Sequence, residues 1–285
     1  MVSVCQTVAG GHALSAEPRD GLSTAWDFRD ESDALYTLVA PLKSKDWERK
    51  TQFKDWTIND VIGHLHIWNH AALLSLQDED AFSAFMNDAV GTMRGPGGHL
   101  AFTREWLDGA SGLALLDRWR ELYVEASEAF AAADPKKRVK WAGPDMSVRS
   151  SITARLMETW SHAQAVYDLL GQDRVDTDRI RNVAVIGINT FGWTFKNRKL
   201  DVPEDKPYVR LTAPSGELWE WHEPSEDNLI SGDATAFCQV VTQTRNIADT
   251  DLSVTGDTAT RWMAMAQCFA GPPHDPPPPG TRFKQ

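Results

Sequence analysis

Helical periodicity dominates the sequence from about residue 21 to residue 200. The segment GLALLDRWRELYVEASEAFAAAD, which begins at Gly112, repeats apolar residues at three- and four-residue steps and stops before Pro135. That pattern is typical of an amphipathic helix. Helices are predicted over about 21–42, 57–78, 80–90, 112–133, 147–170 and 176–199. Because each must bury one apolar stripe, residues 21–200 are predicted to form a helical bundle, after an irregular lead-in over residues 1–20.

The pattern changes after Asp201. YVRLTAP and ELWEW alternate apolar and polar residues and are predicted to be two strands joined by a turn. A helix over 233–246, a strand at LSVTG and a final helix at DTATRWMAMAQCF complete a small predicted α+β domain over about 205–270. The predicted fold class is therefore α+β, mainly α. Residues 271–285 are rich in proline and are predicted to form an extended or disordered tail.

Composition narrows the class of protein. The 285 residues are 42% hydrophobic, which suffices for a sizeable core, and the net charge of −11 disfavours binding to nucleic acid or to anionic membranes. No apolar run is long enough to span a bilayer, and the N-terminus lacks the features of a secretion signal. Cys5, Cys238 and Cys268 are odd in number and widely separated. A soluble protein of the reducing cytoplasm is expected.

The predicted helix over 57–78 carries the first candidate metal ligand. At about 100° per residue, His64 lies beside the apolar stripe and is predicted to point at the bundle interior or its margin. That stripe contains Val61, Leu65, Trp68, Ala72 and Leu76. Asp60, one turn earlier, is placed to orient the imidazole by a hydrogen bond. His66 and His70 also have metal-ligand spacing, but they point away from the stripe and are predicted to be solvated or inter-domain contacts.

The predicted helix over 147–170 carries two more candidates. Glu158 and His162 are four residues apart and share one helix face beside the apolar stripe. The polar residues Ser161, Gln164 and Asp168 are predicted to lie on the opposite side. Two histidines and a carboxylate would leave a tetrahedral ion one open position, as in catalytic zinc sites. The alternatives are a satisfied core histidine and a surface Glu–His pair.

Both candidate segments resemble a known family. WTINDVIGHL is similar to the start of the second helix in the DinB-like, mycothiol-dependent maleylpyruvate isomerase superfamily, and METWSHAQAVYDLLG resembles its Glu-x-x-x-His segment. GDTATRWMAMAQCFAGPP resembles an actinobacterial subfamily of metal-binding proteins. The resemblance implies a DinB-like four-helix bundle followed by a small α+β sterol-carrier-like domain. It also implies a divalent ion, expected to be zinc, held by His64, Glu158 and His162.

The resemblance implies an activity as well. A low-molecular-weight thiol such as mycothiol would add as its thiolate to a small activated substrate, in an isomerase or an S-transferase. FCQVVTQTRN resembles the helix end that carries a catalytic arginine in this family, which makes Arg245 the candidate, although Thr244 stands where the family has glycine. Arg155, one turn before Glu158, is a second candidate anchor for a substrate carboxylate. The alternatives are a surface cation for Arg245, and an ion pair with Glu158 or a surface charge for Arg155.

Two other functions fit the same residues. A metal-dependent hydrolase or lyase would use the open position for an activated water, and a non-catalytic protein would bind an apolar ligand among the twelve tryptophans. GPGGHL at 95–100 is predicted to be a loop over the bundle mouth, since no strand precedes it. A small-molecule substrate is expected, whereas the substrate itself, the metal identity and the oligomeric state are not predicted.

Overall fold

A computed structural model describes residues 19–95 and 97–285, so most of the predicted lead-in lies outside the described residues. The helices are α1 Ser23–Val39, α2 Ile58–Gln77, α3 Glu79–Met93, α4 Gly98–Trp106, α5 Gly112–Ala132, α6 Val148–Leu170, α7 Arg181–Asn189, α8 Phe191–Asn197, α9 Ala234–Val241 and α10 Asp257–Met263. The strands are β1 Arg138–Val139, β2 Met146–Ser147, β3 Tyr208–Thr212, β4 Leu218–Trp221, β5 Leu229–Asp233 and β6 Ser253–Thr255.

Four long helices, α1, α2, α5 and α6, form the bundle, in which α1 and α2 each pack against both α5 and α6. Several of the tryptophans are fully buried in the core, among them Trp47, Trp119 and Trp160. The predicted stripe of α2 is buried except at Trp68, which is half-buried. The mainly α, α+β fold predicted from the sequence is confirmed.

The ends of α2 and α6 have clear chemical causes. Thr57 caps α2 by accepting a hydrogen bond from the Asp60 N–H, and the Asp60 carboxylate accepts one from the Thr57 N–H, which is a capping box. Ser147 caps α6 by accepting a hydrogen bond from the Ser150 N–H, and Gly171, which has a φ of 65°, follows the last residue of α6 as its C-cap. These caps set the first turns of the two helices that carry the candidate metal ligands.

The C-terminal part contains a four-stranded sheet in the order β4-β3-β5-β6. Strand β3 pairs antiparallel with β4 and parallel with β5, and β5 pairs antiparallel with β6. Helix α9 packs on this sheet and on α7, so one continuous core joins the sheet to the bundle. α9 ends at Val241 rather than at residue 246, which leaves residues 242–246 as a turn that faces the bundle.

Residues 95–100 differ from the prediction, because α4 begins at Gly98 and replaces most of the expected loop. Gly97 precedes the helix with a φ of 85°, a backbone conformation that favours glycine. Phe102 is buried in a small apolar cluster that Phe85 of α3 and Trp106 of α4 pack against. The helix forms because this cluster gives its apolar face a partner on α2 and α3.

The proline-rich segment 271–285 is extended and lies against the rest of the protein. Asn246 donates a hydrogen bond to the Pro277 carbonyl, the Phe283 N–H donates to Gln52, and the Gln285 N–H donates to the Asp168 carbonyl. The segment thereby reaches from the C-terminal part back to the bundle. Among the described residues, none of the helices has both the length and the apolar character that a bilayer span requires.

Candidate metal site

The structure brings His64 of α2 together with Glu158 and His162 of α6. The Nε2 atoms of His64 and His162 lie 3.2 Å and 3.3 Å from the same carboxylate oxygen, Oε2 of Glu158. One potential ligand atom from each residue lies within 4.8 Å of the other two, which is close enough for all three to hold one metal ion. Two donors come from one face of α6, and the packing of α2 on α6 adds the third.

The protonation states suit metal binding. Burial, together with the charge of His162, lowers the pKa of His64 to about 3, so its imidazole is neutral at pH 7. Burial alone would raise the pKa of Glu158. Hydrogen bonds from His162 and His64 and the charge of Arg155 outweigh it and hold this pKa well below its usual value. The site therefore combines an anionic carboxylate with a neutral imidazole, as divalent cations require.

Aromatic rings hold the imidazoles in place. Trp56 stacks on His162 with ring centroids 5.6 Å apart and an interplanar angle of 3°, and it also contacts His64 at 5.3 Å. Phe53 meets the His162 ring edge-on at 5.0 Å. Both aromatic residues lie in the segment before α2. This packing restricts the rotation of the two candidate ligands.

A third histidine, His99 of α4, lies beside the site. Its ring centroid is 4.9 Å from that of His64, and its Nε2 accepts a hydrogen bond from the Trp68 indole N–H. Because an indole only donates, Nε2 carries no proton in this contact, and a neutral ring holds its proton on Nδ1. Burial and then the charge of His162 lower the pKa of His99, which favours that neutral form. His99 Nδ1 is buried and has no hydrogen-bond partner among the described residues.

The three candidate ligands line a cavity of about 330 Å³ between the bundle and the C-terminal part, a size suited to a small molecule. The bundle side includes Trp56, His99 and Ser161. The C-terminal side is formed by the turn after α9, by residues 269–274 and by Arg282. Gln243 of that turn donates hydrogen bonds to the carbonyls of Ala266 and His274 and so fixes this wall.

Two predictions about α2 are wrong. Asp60 does not orient His64. Its carboxylate caps α2 and forms a two-point ion pair with Arg104 of α4, at 2.9 Å and 3.0 Å. His66 is buried rather than solvated, with its ring 5.2 Å from Trp106, and His70 contacts Phe85 and Trp106. The cause is α3 and α4, which cover the face of α2 that the helical pattern alone left open.

Arg155 is buried behind the site. Its guanidinium lies 5.2 Å from the centroid of Trp141, and two of its nitrogens, Nε and Nη1, have no hydrogen-bond partner among the described residues. Burial lowers the pKa of Arg155, and the charge of Glu158 opposes that shift. The alternative of a surface charge is therefore wrong, whereas the catalytic assignment of Arg155 stays a prediction. Arg155 is not among the residues that line the cavity.

The structure places Arg245 in an ion pair with Asp168 of α6, outside the lining of the cavity that holds the candidate metal ligands. The alternative of an exposed helix-end cation is wrong, because the side chain of Arg245 is only 12% exposed. Its catalytic assignment stays a prediction. The helical pattern predicts that Ser161, Gln164 and Asp168 face away from the site, yet Ser161 lines the same cavity as the candidate metal ligands. Gln164 and Asp168 are buried because the C-terminal part packs across that face.

Several lining residues were not singled out from the sequence. Trp56 and His99 each had a local signal. Trp56 directly precedes the Thr57 cap, and His99, Phe102 and Trp106 follow helical spacing. No local sequence signal marked Lys54, His274 or Arg282 as cavity residues. They lie in irregular segments whose path depends on tertiary contacts.

Comparisons with known proteins agree with the resemblance. The family model described as the mycothiol maleylpyruvate isomerase N-terminal domain matches residues 28–167. Proteins from two strains of Mycobacterium tuberculosis, both described as uncharacterized, are 37% identical over 247 residues, covering 87% of this chain and 95% of theirs.

Among solved structures, the mycothiol-dependent maleylpyruvate isomerase and one of its mutants cover 76% of this chain and 87% of their own. They share 15% and 13% sequence identity with it, at TM-scores of 0.48 and 0.49. The family model spans both segments that carry His64 and Glu158, as well as His162. The chain belongs to the DinB-like, mycothiol-dependent maleylpyruvate isomerase superfamily.

Proposed function

We propose that this protein is a divalent-metal-dependent enzyme that uses a low-molecular-weight thiol, mycothiol, in an isomerase or S-transferase reaction on a small activated substrate. The observation that supports this most directly is the convergence of His64, Glu158 and His162 on the wall of a cavity of about 330 Å³. Membership of the family supports the choice of thiol. The proposal includes a cytoplasmic location, as the sequence predicts.

The donor set fits a divalent cation. His64 offers a neutral nitrogen and Glu158 a carboxylate oxygen, while His162 supplies the third donor from the same face of α6. Three protein ligands leave room for one exchangeable ligand, which is the pattern of catalytic rather than structural zinc sites. Zinc is the proposed ion. When bound, such a cation supplies the positive charge that stabilises a thiolate at neutral pH.

The surrounding residues would position the reactants. Trp56 and Phe53 hold the candidate ligands by ring contacts. His99 presents a neutral ring next to His64, with its tautomer set by Trp68. We propose that Arg155 acts from behind, by balancing the charge of Glu158. A direct role for Arg245 requires it to leave Asp168, so in the conformation described here its effect on the site is indirect.

Thiol binding in the presence and absence of metal tests the proposal. Titration calorimetry of the zinc-loaded protein with mycothiol is expected to give one site, which disappears after chelation of the metal. In Glu158→Gln the metal-dependent binding is expected to weaken strongly, because the ion loses its anionic ligand. His70→Ala replaces a histidine of α2, the helix of His64, outside the cavity lining; it is the control and should leave thiol binding intact.

Failure of the zinc-loaded protein to bind mycothiol would contradict the thiol-dependent function. A product screen with activated esters and amides would then test a metal-dependent hydrolase or lyase, and ligand analysis of the purified protein would test a non-catalytic binding role. Retention of metal-dependent thiol binding in Glu158→Gln would contradict the proposed ligand set.

A further inference from the structure

Two cations lie close to the same aromatic ring at the cavity that holds the candidate metal ligands. The Lys54 Nζ lies 5.2 Å from the centroid of Phe53, and the Arg282 Cζ lies 5.1 Å from it. Both cations line the same cavity as Glu158 and His162. Lys54 comes from the segment before α2, whereas Arg282 comes from the extended C-terminal segment, so tertiary packing alone brings them together.

Neither cation has a carboxylate partner within residues 19–95 and 97–285. Arg282 donates one hydrogen bond, from Nη1 to the Gln243 carbonyl at 2.6 Å, which leaves most of its five N–H donors free. Neighbouring cations do have carboxylate partners: Arg245 pairs with Asp168, and Lys284 pairs with Asp173. A chain with a net charge of −11 thus leaves two cations unneutralised at this cavity.

The positive charge of Arg282 acts on Lys54. Partial burial, and then the charge of Arg282, lower the pKa of Lys54. Burial, and then the charge of Arg245, lower the pKa of Arg282, although Asp168 opposes that shift. The one acidic side chain in the described lining, Glu158, is already engaged by two histidines. An anion placed between Lys54 and Arg282 would relieve this repulsion.

The backbone at Lys54 departs from ordinary geometry. Lys54 and Asp55 have φ values of 53° and 56°, the left-handed region that a residue other than glycine seldom adopts. Two such residues in succession turn the chain sharply between Phe53 and Trp56, and both of these aromatic residues contact His162. Strain of this kind persists where the surrounding structure fixes the position of a functional side chain.

We propose that Lys54 and Arg282 form an oxyanion-binding subsite, so that the substrate is a small molecule with a carboxylate or phosphate group that is held there while its reactive part lies at the metal site. The role in substrate binding rests on the proposed function. Binding of the anion itself does not require the metal. The guanidinium fork and the lysine ammonium supply complementary hydrogen bonds and charge, as in other carboxylate and phosphate sites.

Anion binding to the metal-free protein tests the subsite by itself. Inorganic phosphate and acetate are titrated separately at low ionic strength, and one saturable site is expected for the preferred oxyanion. Lys54→Gln and Arg282→Gln should each weaken its binding about tenfold, which corresponds to about 1.4 kcal/mol. Lys284→Gln removes the same charge from the same segment outside the cavity and should leave the affinity unchanged. Absence of saturable binding of both anions, or equal affinity in all variants, would overturn the subsite.

A pair of thiols then separates the subsite from the proposed thiol chemistry. The Co²⁺-loaded protein is titrated with 3-mercaptopropionate and with its methyl ester, and sulfur–metal charge-transfer absorption reports thiolate binding. The acid is expected to bind about tenfold more tightly than the ester, and Arg282→Gln should abolish that preference. An absorption band without any preference for the acid would overturn the subsite alone. If neither thiol gives a band while phosphate or acetate still binds, the thiol proposal fails and the subsite stands.

Discussion

Arg245 forms a two-point ion pair with Asp168, with its guanidinium nitrogens 2.8 Å and 2.6 Å from the two carboxylate oxygens. The pair joins the turn after α9 to α6, and the Asp168 carbonyl also accepts a hydrogen bond from the Gln285 N–H. Both side chains are largely buried. The residue that the family resemblance marks as catalytic therefore holds the C-terminal part against the helix that carries Glu158 and His162.

Because the pair is buried, replacing Arg245 by alanine leaves an unpaired carboxylate. The free energy of unfolding is expected to fall by about 3 kcal/mol, in the metal-free protein as well as the metal-loaded one. Urea denaturation followed by circular dichroism measures this. Arg261→Ala, which removes an arginine of α10 that contacts Phe195 of α8, should lower the free energy of unfolding far less. Equal effects of the two substitutions would contradict a joining role for Arg245.

Metal binding is expected to depend on the pair of ligands from α6. His162→Ala removes one of three donors, so stoichiometric metal content should be lost while the helical circular dichroism signal remains close to that of the wild type. Elemental analysis after dialysis against limiting zinc measures the content. His70→Ala, which removes a histidine of α2 that contacts Trp106 instead of the site, is the control and should keep its metal content. Unchanged metal content in His162→Ala would rule out this residue as a ligand.

Acid is expected to destabilise the protein through His66. Burial, and then the charge of His70, lower the pKa of His66 to about 4, below its ordinary value of 6.5. Between pH 6.5 and about 4, His66 therefore binds a proton in the unfolded chain but not in the folded protein. This contribution to stability is complete above pH 6.5 and is lost as the pH falls towards 4, by up to about 1.4 kcal/mol per pH unit.

In His66→Gln the free energy of unfolding should vary less with pH across this window, whatever its absolute value. Urea titrations at several pH values test this, and an unchanged pH dependence would contradict the assignment.

The tautomer of His99 is expected to depend on Trp68. In the wild type, the indole N–H donates to Nε2 and favours a proton on Nδ1. Trp68→Phe keeps an aromatic ring but removes the donor, so the ring should shift towards the other tautomer. Nitrogen-15 chemical shifts of the imidazole measure this directly. Trp106→Phe, which alters a ring near His66 and His70 instead, should leave the His99 tautomer as it is.

The local pattern of the sequence was sufficient for the four long helices of the bundle and for β3, β4 and β6 of the sheet, whereas β5, which lies between β3 and β6, was not predicted. Three- and four-residue periodicity reports which face of a helix is apolar, and the Glu158–His162 spacing follows from helix geometry alone. Gly171 likewise marks the end of α6. These features depend on residues near one another in the chain, so they can be predicted without tertiary structure.

Tertiary packing decided the rest of the site. The burial of His66 could not be predicted, because it depends on contact with Trp106 of α4. The glycines at 97 and 98 had favoured the prediction of a loop where α4 begins. The partner of Arg245 depends on how the C-terminal part docks on α6. Local sequence determined which faces of the helices are apolar and which side chains could bind a metal. Only the packing of distant segments placed Arg282 and Lys54 over the same ring, because that contact depends on how the whole chain fills its core.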